Sequence, residues 1–292
     1  MMYQTGAQLL EYMKKNEMKK ISEAVLAKEM LLTGKSEEEI RSRTADHYAV
    51  MKQSASRALT EKVETVGGMI SGDSRKMEDY RKGAGALCGD TIARAMARAL
   101  SCSEVNASMG KICAAPTAGA CGILPAAVIT VAEELNAPAE AVTDAMITAA
   151  GVGAIITDNA TVSGAEGGCQ AECGTAAAMA AAAVVQLRGG SADTALCAAG
   201  IALENILGLV CDPIAGIVEA PCAKRNASGT VNAILSADLA LAGIRSDVPF
   251  DEVVDAMYHV GRALPTSLRE TALGGIAAAP SAKAISRKIF GR

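Results

Sequence analysis

Aromatic side chains make up only 2% of this 292-residue chain: tryptophan is absent and phenylalanine occurs twice, as Phe250 and Phe290. Alternating β-branched or aromatic runs bounded by turn pairs are missing as well, so strand signals are poor. Histidine is limited to His47 and His259, which all but excludes a histidine-rich metal site; both sit in helical surroundings and read as surface or packing residues. A basic stripe is lacking too. The net charge is −4 and the basic residues are dispersed, which disfavours nucleic acid as a partner. No GxxxxGK[ST] segment occurs, and the glycines of GAEGGC follow no convincing strand, so neither ATP nor a nicotinamide dinucleotide is implied. The opening MMYQTGAQLLEYMKKNEMKK is charged and amphipathic, without the apolar region of a secretory signal, and points to a cytoplasmic chain.

Charge is missing from residues 112–132, a stretch about as long as the ~20 residues that span a bilayer. Pro116, Pro125, Gly119 and Gly122 interrupt it, and its alanines and threonines supply little transfer energy. A buried loop and helix are expected there, and no membrane.

What remains is rich in small apolar residues. Half the chain is apolar, and runs such as AMITAAGVGAII and TAAAMAAAAVVQL are apolar all round, as helices buried on every side are. Residues 1 to about 100 are charge-rich and helix-forming; SEEEI, at residues 36–40, combines a Ser N-cap with acids in the first turn. VPFDEVV starts another helix at residues 249–251. We read a single all-α domain with buried Ala/Gly-rich helices: a charged helical part over about 1–100, a core over about 101–292, and no repeat or linker forcing a boundary.

VGGMISGD, at residues 66–73, is a glycine-rich loop of the kind used where backbone approaches something closely. NASMGKICAAPTAGACG, VSGAEGGCQAEC and GLVCDPIAGIVEAPCAKRN add cysteines to the same mix. Glycines beside Ser, Thr, Asn and Asp let backbone N–H groups converge on an anion, although the same residues also simply build turns. Nine cysteines in a reducing compartment point to metal binding or burial, not disulfides. Cys169 and Cys173 form a CxxxC pair without the second pair that a structural zinc needs. Cys169, Cys211 and Cys222 are spaced by 42 and 11 positions. Spacing alone is weak evidence, but three thiolates from separate loops suit three irons of a [4Fe–4S] cluster with the fourth left open.

The strings NASMGKICAAPTAGACGILPA, SGAEGGCQAE, NILGLVCDPIAGIVEAPCAKRNA and ALPTSLRETALGGIAAAPSAK closely resemble the α chain of the bacterial iron–sulfur L-serine dehydratases, from about residue 4 to the C-terminus. The resemblance implies one α-chain-like domain over 4–290 and a [4Fe–4S] cluster held by Cys169, Cys211 and Cys222. It also implies elimination of water from L-serine to give pyruvate and ammonia without pyridoxal phosphate. It places substrate contacts at Asn106, Ser108, Thr117 and Ser163. Lys224 and Arg225, directly after Cys222, either bind the substrate carboxylate, offset the negative cluster, or are a solvated basic pair. No general base is identified; Glu166 and Asp212 adjoin ligand segments and are candidates, though either can instead cap a helix or hold a loop. Cys173, one helical turn beyond Cys169, stands beside the cluster or competes as a ligand. The family occurs as one fused chain or as two subunits, so a β partner is expected. A cysteine desulfidase-like lyase, separable by assays with serine and cysteine, and a non-catalytic helical scaffold, which would bind no iron, are the competing readings.

Overall fold

Local chemistry sets the helix boundaries in the computed structural model of the chain, which describes residues 2–83 and 85–291. Thirteen α-helices occur among the described residues. They are α1 (Gly6–Lys15), α2 (Ile21–Thr33), α3 (Glu37–Thr60), α4 (Asp73–Gly83), α5 (Gly89–Ala107), α6 (Ile123–Glu134), α7 (Ala139–Asn159), α8 (Gly164–Gly167), α9 (Cys169–Leu187), α10 (Ala192–Glu204), α11 (Cys222–Leu241), α12 (Phe250–Ala263) and α13 (Pro280–Phe290). Ser36 caps α3 as the sequence suggests: its hydroxyl accepts from the Glu39 N–H, and the Glu39 carboxylate accepts from the Ser36 N–H. Pro249 precedes α12, whose buried residues Phe250, Val253, Val254, Met257 and Gly261 form one helical stripe.

Helix α9 is the centre of the molecule, packed against α6, α7, α10 and α11. Its alanines from 176 to 178 and from 180 to 183 have no exposed surface. Alanine is the strongest helix former and the smallest side chain with a Cβ, so it lets four neighbours approach one axis closely. The same choice explains how a core can be built without tryptophan. No strand forms among the described residues; one isolated parallel bridge joins Cys211 to Arg269.

The uncharged stretch at 112–132 resolves into a loop and the buried helix α6. Helix α7 is long and apolar enough to cross a membrane, yet most of its apolar window is covered by the rest of the chain. All nine cysteines are unpaired. The helices place two N-termini, those of α9 and α11, at one end of the core, where the 112–122, 161–168, 208–221 and 264–279 loops meet them.

Candidate metal centre

Cys169 opens α9, and several contacts fix its position. Gly168, just before it, has φ 75° and ψ 178°, a conformation open essentially to glycine alone. A Cβ there would also sit 2.7 Å from Leu264 Cδ1 and 2.8 Å from the Leu209 carbonyl. Gln170, fully buried, donates to the Gly167 and Met257 carbonyls and accepts from the Gly208 N–H, tying the turn to α12 and to the next cysteine segment.

Cys211 arrives on a loop stitched to the chain's tail: its N–H donates to Leu268 and its carbonyl accepts from Glu270. Gly164 passes so close above it that a Cβ would lie 3.0 Å from the Cys211 sulfur. Arg225, on the first turn of α11, donates to the Val210 carbonyl (2.9 Å) and the Asp212 carboxylate (2.7 Å). Asp212 also accepts from the Ile276 N–H at 2.7 Å. One guanidinium and one carboxylate thus lock the Cys211 loop to the helix that begins with Cys222.

The donor atoms of Cys169, Glu172 and Cys211 lie within 4.8 Å of one another. Glu172 stands one turn along α9, its Oε2 4.0 Å from the Cys169 sulfur, and Thr117 donates to its other oxygen. Cys173 is 3.9 Å from Cys169, sulfur to sulfur. Hydrogen bonds from Cys173 and Cys211, with the nearby Arg225 charge, hold the Cys169 thiol well below its ordinary range despite its burial. Cys211 and Cys173 are pushed up by sharing that proton and by burial. Cys222 is pushed up to about 12, by burial first and then by the Cys169 and Glu172 charges. One anionic sulfur among protonated ones, at a helix N-terminus and beside an arginine, is a set of soft donors suited to a thiophilic metal, which would displace the remaining protons. The buried Cys–Glu–Cys group can bind a metal.

The family model for the serine dehydratase alpha chain matches residues 4–277. The chain belongs to that family. It is 50% identical over 268 residues to the L-serine dehydratase, alpha chain, of Peptoniphilus asaccharolyticus, covering 92% of each chain. It is 44% identical over 290 residues to the "Probable L-serine dehydratase, alpha chain" of Bacillus subtilis (strain 168), covering 99% of this chain and 96% of that one. L-serine dehydratase 1 of Escherichia coli (strain K12) is 42% identical over 181 residues, which are 61% of this chain but 40% of that one.

Of the residues singled out from sequence, the structure brings Cys169, Cys211, Thr117 and Arg225 together, with Cys222 at the adjoining helix start and outside the tight Cys169–Glu172–Cys211 group. Asn106 donates to the Ala118 carbonyl and so steadies the loop that carries Thr117. The Ser108 hydroxyl is used on its own helix, at the Val105 carbonyl. Ser163 precedes α8, and its carbonyl accepts from the Glu166 and Gly167 N–H groups. Lys224 is exposed. Glu166 is exposed and bonded to Thr161, and Asp212 is engaged on both oxygens.

Three acids were missed in the sequence. Glu172 had a visible signal, since it is the one charged residue of α9. Glu219 did not: three residues before Cys222, it is buried and accepts from the Gly67 N–H (2.5 Å), the Met69 N–H (2.9 Å) and the Thr65 hydroxyl (2.9 Å). Glu104 takes the Gly72 and Ser74 N–H groups in the same way. The glycine loop at 66–73 does converge on anions, and those anions are the chain's own carboxylates.

Proposed function

We propose that this chain is the cluster-carrying α chain of an L-serine dehydratase, eliminating water from L-serine to give pyruvate and ammonia. The observation that carries the reading is the donor group of Cys169, Glu172 and Cys211, built by family-matching segments from two separate parts of the chain. Cys169, Cys211 and Cys222 are the residues proposed to hold a [4Fe–4S] cluster. When bound, such a cluster with one iron lacking a thiolate supplies a Lewis acid for the substrate hydroxyl.

Arg225 offsets the negative charge gathered at the sulfurs and fixes the Cys211 loop. Thr117 orients Glu172 toward the thiols. Asn106, Ser108, Ser163 and Lys224 remain proposed substrate contacts; among them Asn106 has the best support, through its bond to the Thr117 loop. Asp212 and Glu166 are held by hydrogen bonds that favour anchoring over proton transfer. Loss of the serine Cα proton and hydroxyl leaves aminoacrylate, which tautomerises and hydrolyses without help to pyruvate and ammonia.

A β chain completes the enzyme in this reading. Its support is the alpha-chain name of the relatives that match over more than nine-tenths of their length, and the far greater length of the Escherichia coli relative. The unpaired cysteines and the metabolic relatives support a cytoplasmic setting. Anaerobically reconstituted α chain mixed with its β chain is expected to form pyruvate from L-serine, with little from either chain alone and at least ten times less sulfide from L-cysteine. Preferential sulfide release would instead favour the desulfidase reading.

A further inference from the structure

Glu172 is an expensive residue to keep where it is. It is partly buried on α9, a helix with few exposed positions, and among the described residues no lysine or arginine forms an ion pair with it. A carboxyl group withdrawn from water without an ion-pair partner stays protonated, or keeps its charge where other groups or a ligand hold it. Thr117 engages one oxygen and leaves the other directed at the Cys169 sulfur.

Two glycine loops border the carboxylate and the neighbouring Cys211 sulfur. A Cβ on Gly164 would lie 3.4 Å from Glu172 Oε2 and 3.0 Å from the Cys211 sulfur, and one on Gly119 would collide with the opposite oxygen. Gly119 thus closes on the oxygen that Thr117 engages, and Gly164 on the Cys211 sulfur beside the other. The Glu172 donor atom falls within 4.8 Å of two of the proposed cluster thiols.

We propose that Glu172 is itself a ligand of the centre: in the substrate-free protein its free oxygen occupies the iron that no cysteine takes, and serine displaces it. This rests on the iron–sulfur reading above. The exchange is a ligand substitution in which one iron–oxygen bond breaks and another forms, with no electron transferred. It would keep the open iron from binding adventitious donors between turnovers, and Arg225 beside Cys169 would help to balance the added negative charge.

The test is electron–nuclear double resonance on reduced, anaerobically reconstituted protein carrying carboxyl-13C glutamate. Substrate-free wild type is expected to show a 13C coupling in the cluster signal that disappears when unlabelled L-serine is added. In Glu172→Gln the coupling is expected to be lost while the cluster signal persists. A cluster signal without 13C coupling in the wild type overturns the proposal and leaves the iron–sulfur reading standing. So does a coupling that survives in Glu172→Gln, which would assign it to another glutamate. A wild type with no cluster signal at all overturns both. A wild type without coupling overturns the proposal even if Glu172→Gln does not fold, and Glu172→Ala then takes its place in assigning a coupling that is seen.

Discussion

Burial, with the charges of Cys169 and Glu270 added to it, outweighs the Thr117 hydroxyl and Arg225 and lifts the Glu172 carboxyl from 4.5 to about 7. The folded metal-free protein therefore holds this proton more tightly than the unfolded chain does. Its contribution to stability is full below about pH 4.5 and is lost as the pH rises through 7. The difference in unfolding free energy between wild type and Glu172→Gln is expected to shift by about 3 kcal/mol over that window, at roughly 1.4 kcal/mol per unit. Parallel denaturant titrations at pH 4.5 and 8 on metal-free protein check it, and parallel curves would contradict it. At this scale the meeting of Cys169 and Cys211 was legible through the strings around them. Glu172 was visible only as a lone charge in an alanine helix, and the role of Asp212 depended on partners 13 and 64 positions away.

Elements place these residues, and two of the joints are open to test. Gly168→Ala forces a side chain into glycine-only backbone space against Leu264 and the Leu209 carbonyl. It is expected to cost about 1–3 kcal/mol, read by denaturation of metal-free protein, and to lower iron uptake because Cys169 follows directly. Glu219→Ala strands the donors of the 65–69 segment and is expected to cost on the order of 1–3 kcal/mol. Its signature is faster hydrogen exchange at the Gly67 and Met69 amides with little change in α10 or α12. Uniform protection would show that the carboxylate is not the anchor. Helix starts and the alanine core could be read from the sequence because capping and helical periodicity are local. The Cys211–Arg269 bridge and the anchoring of the glycine loop by Glu219 could not: these contacts join positions 58 and about 150 residues apart and leave no local pattern.

For the whole molecule, the charge-rich helices α1–α5 are part of the same packed body as the alanine-rich ones: α2 lies on α7, and α5 on α11. That arrangement lets residues 65–69, about 150 positions earlier, brace the segment before Cys222 through Glu219. The central claim is that the buried thiols form one metal centre. Iron and sulfide content, measured with the visible spectrum on anaerobically reconstituted protein, tests it most directly, with wild type beside Cys169→Ala, Cys211→Ala and Cys222→Ala. The expected result is about four irons and four sulfides per chain in the wild type, as a [4Fe–4S] cluster requires, and loss of the cluster in each variant. Wild-type protein that takes up no iron, or variants that keep the full complement, would contradict it.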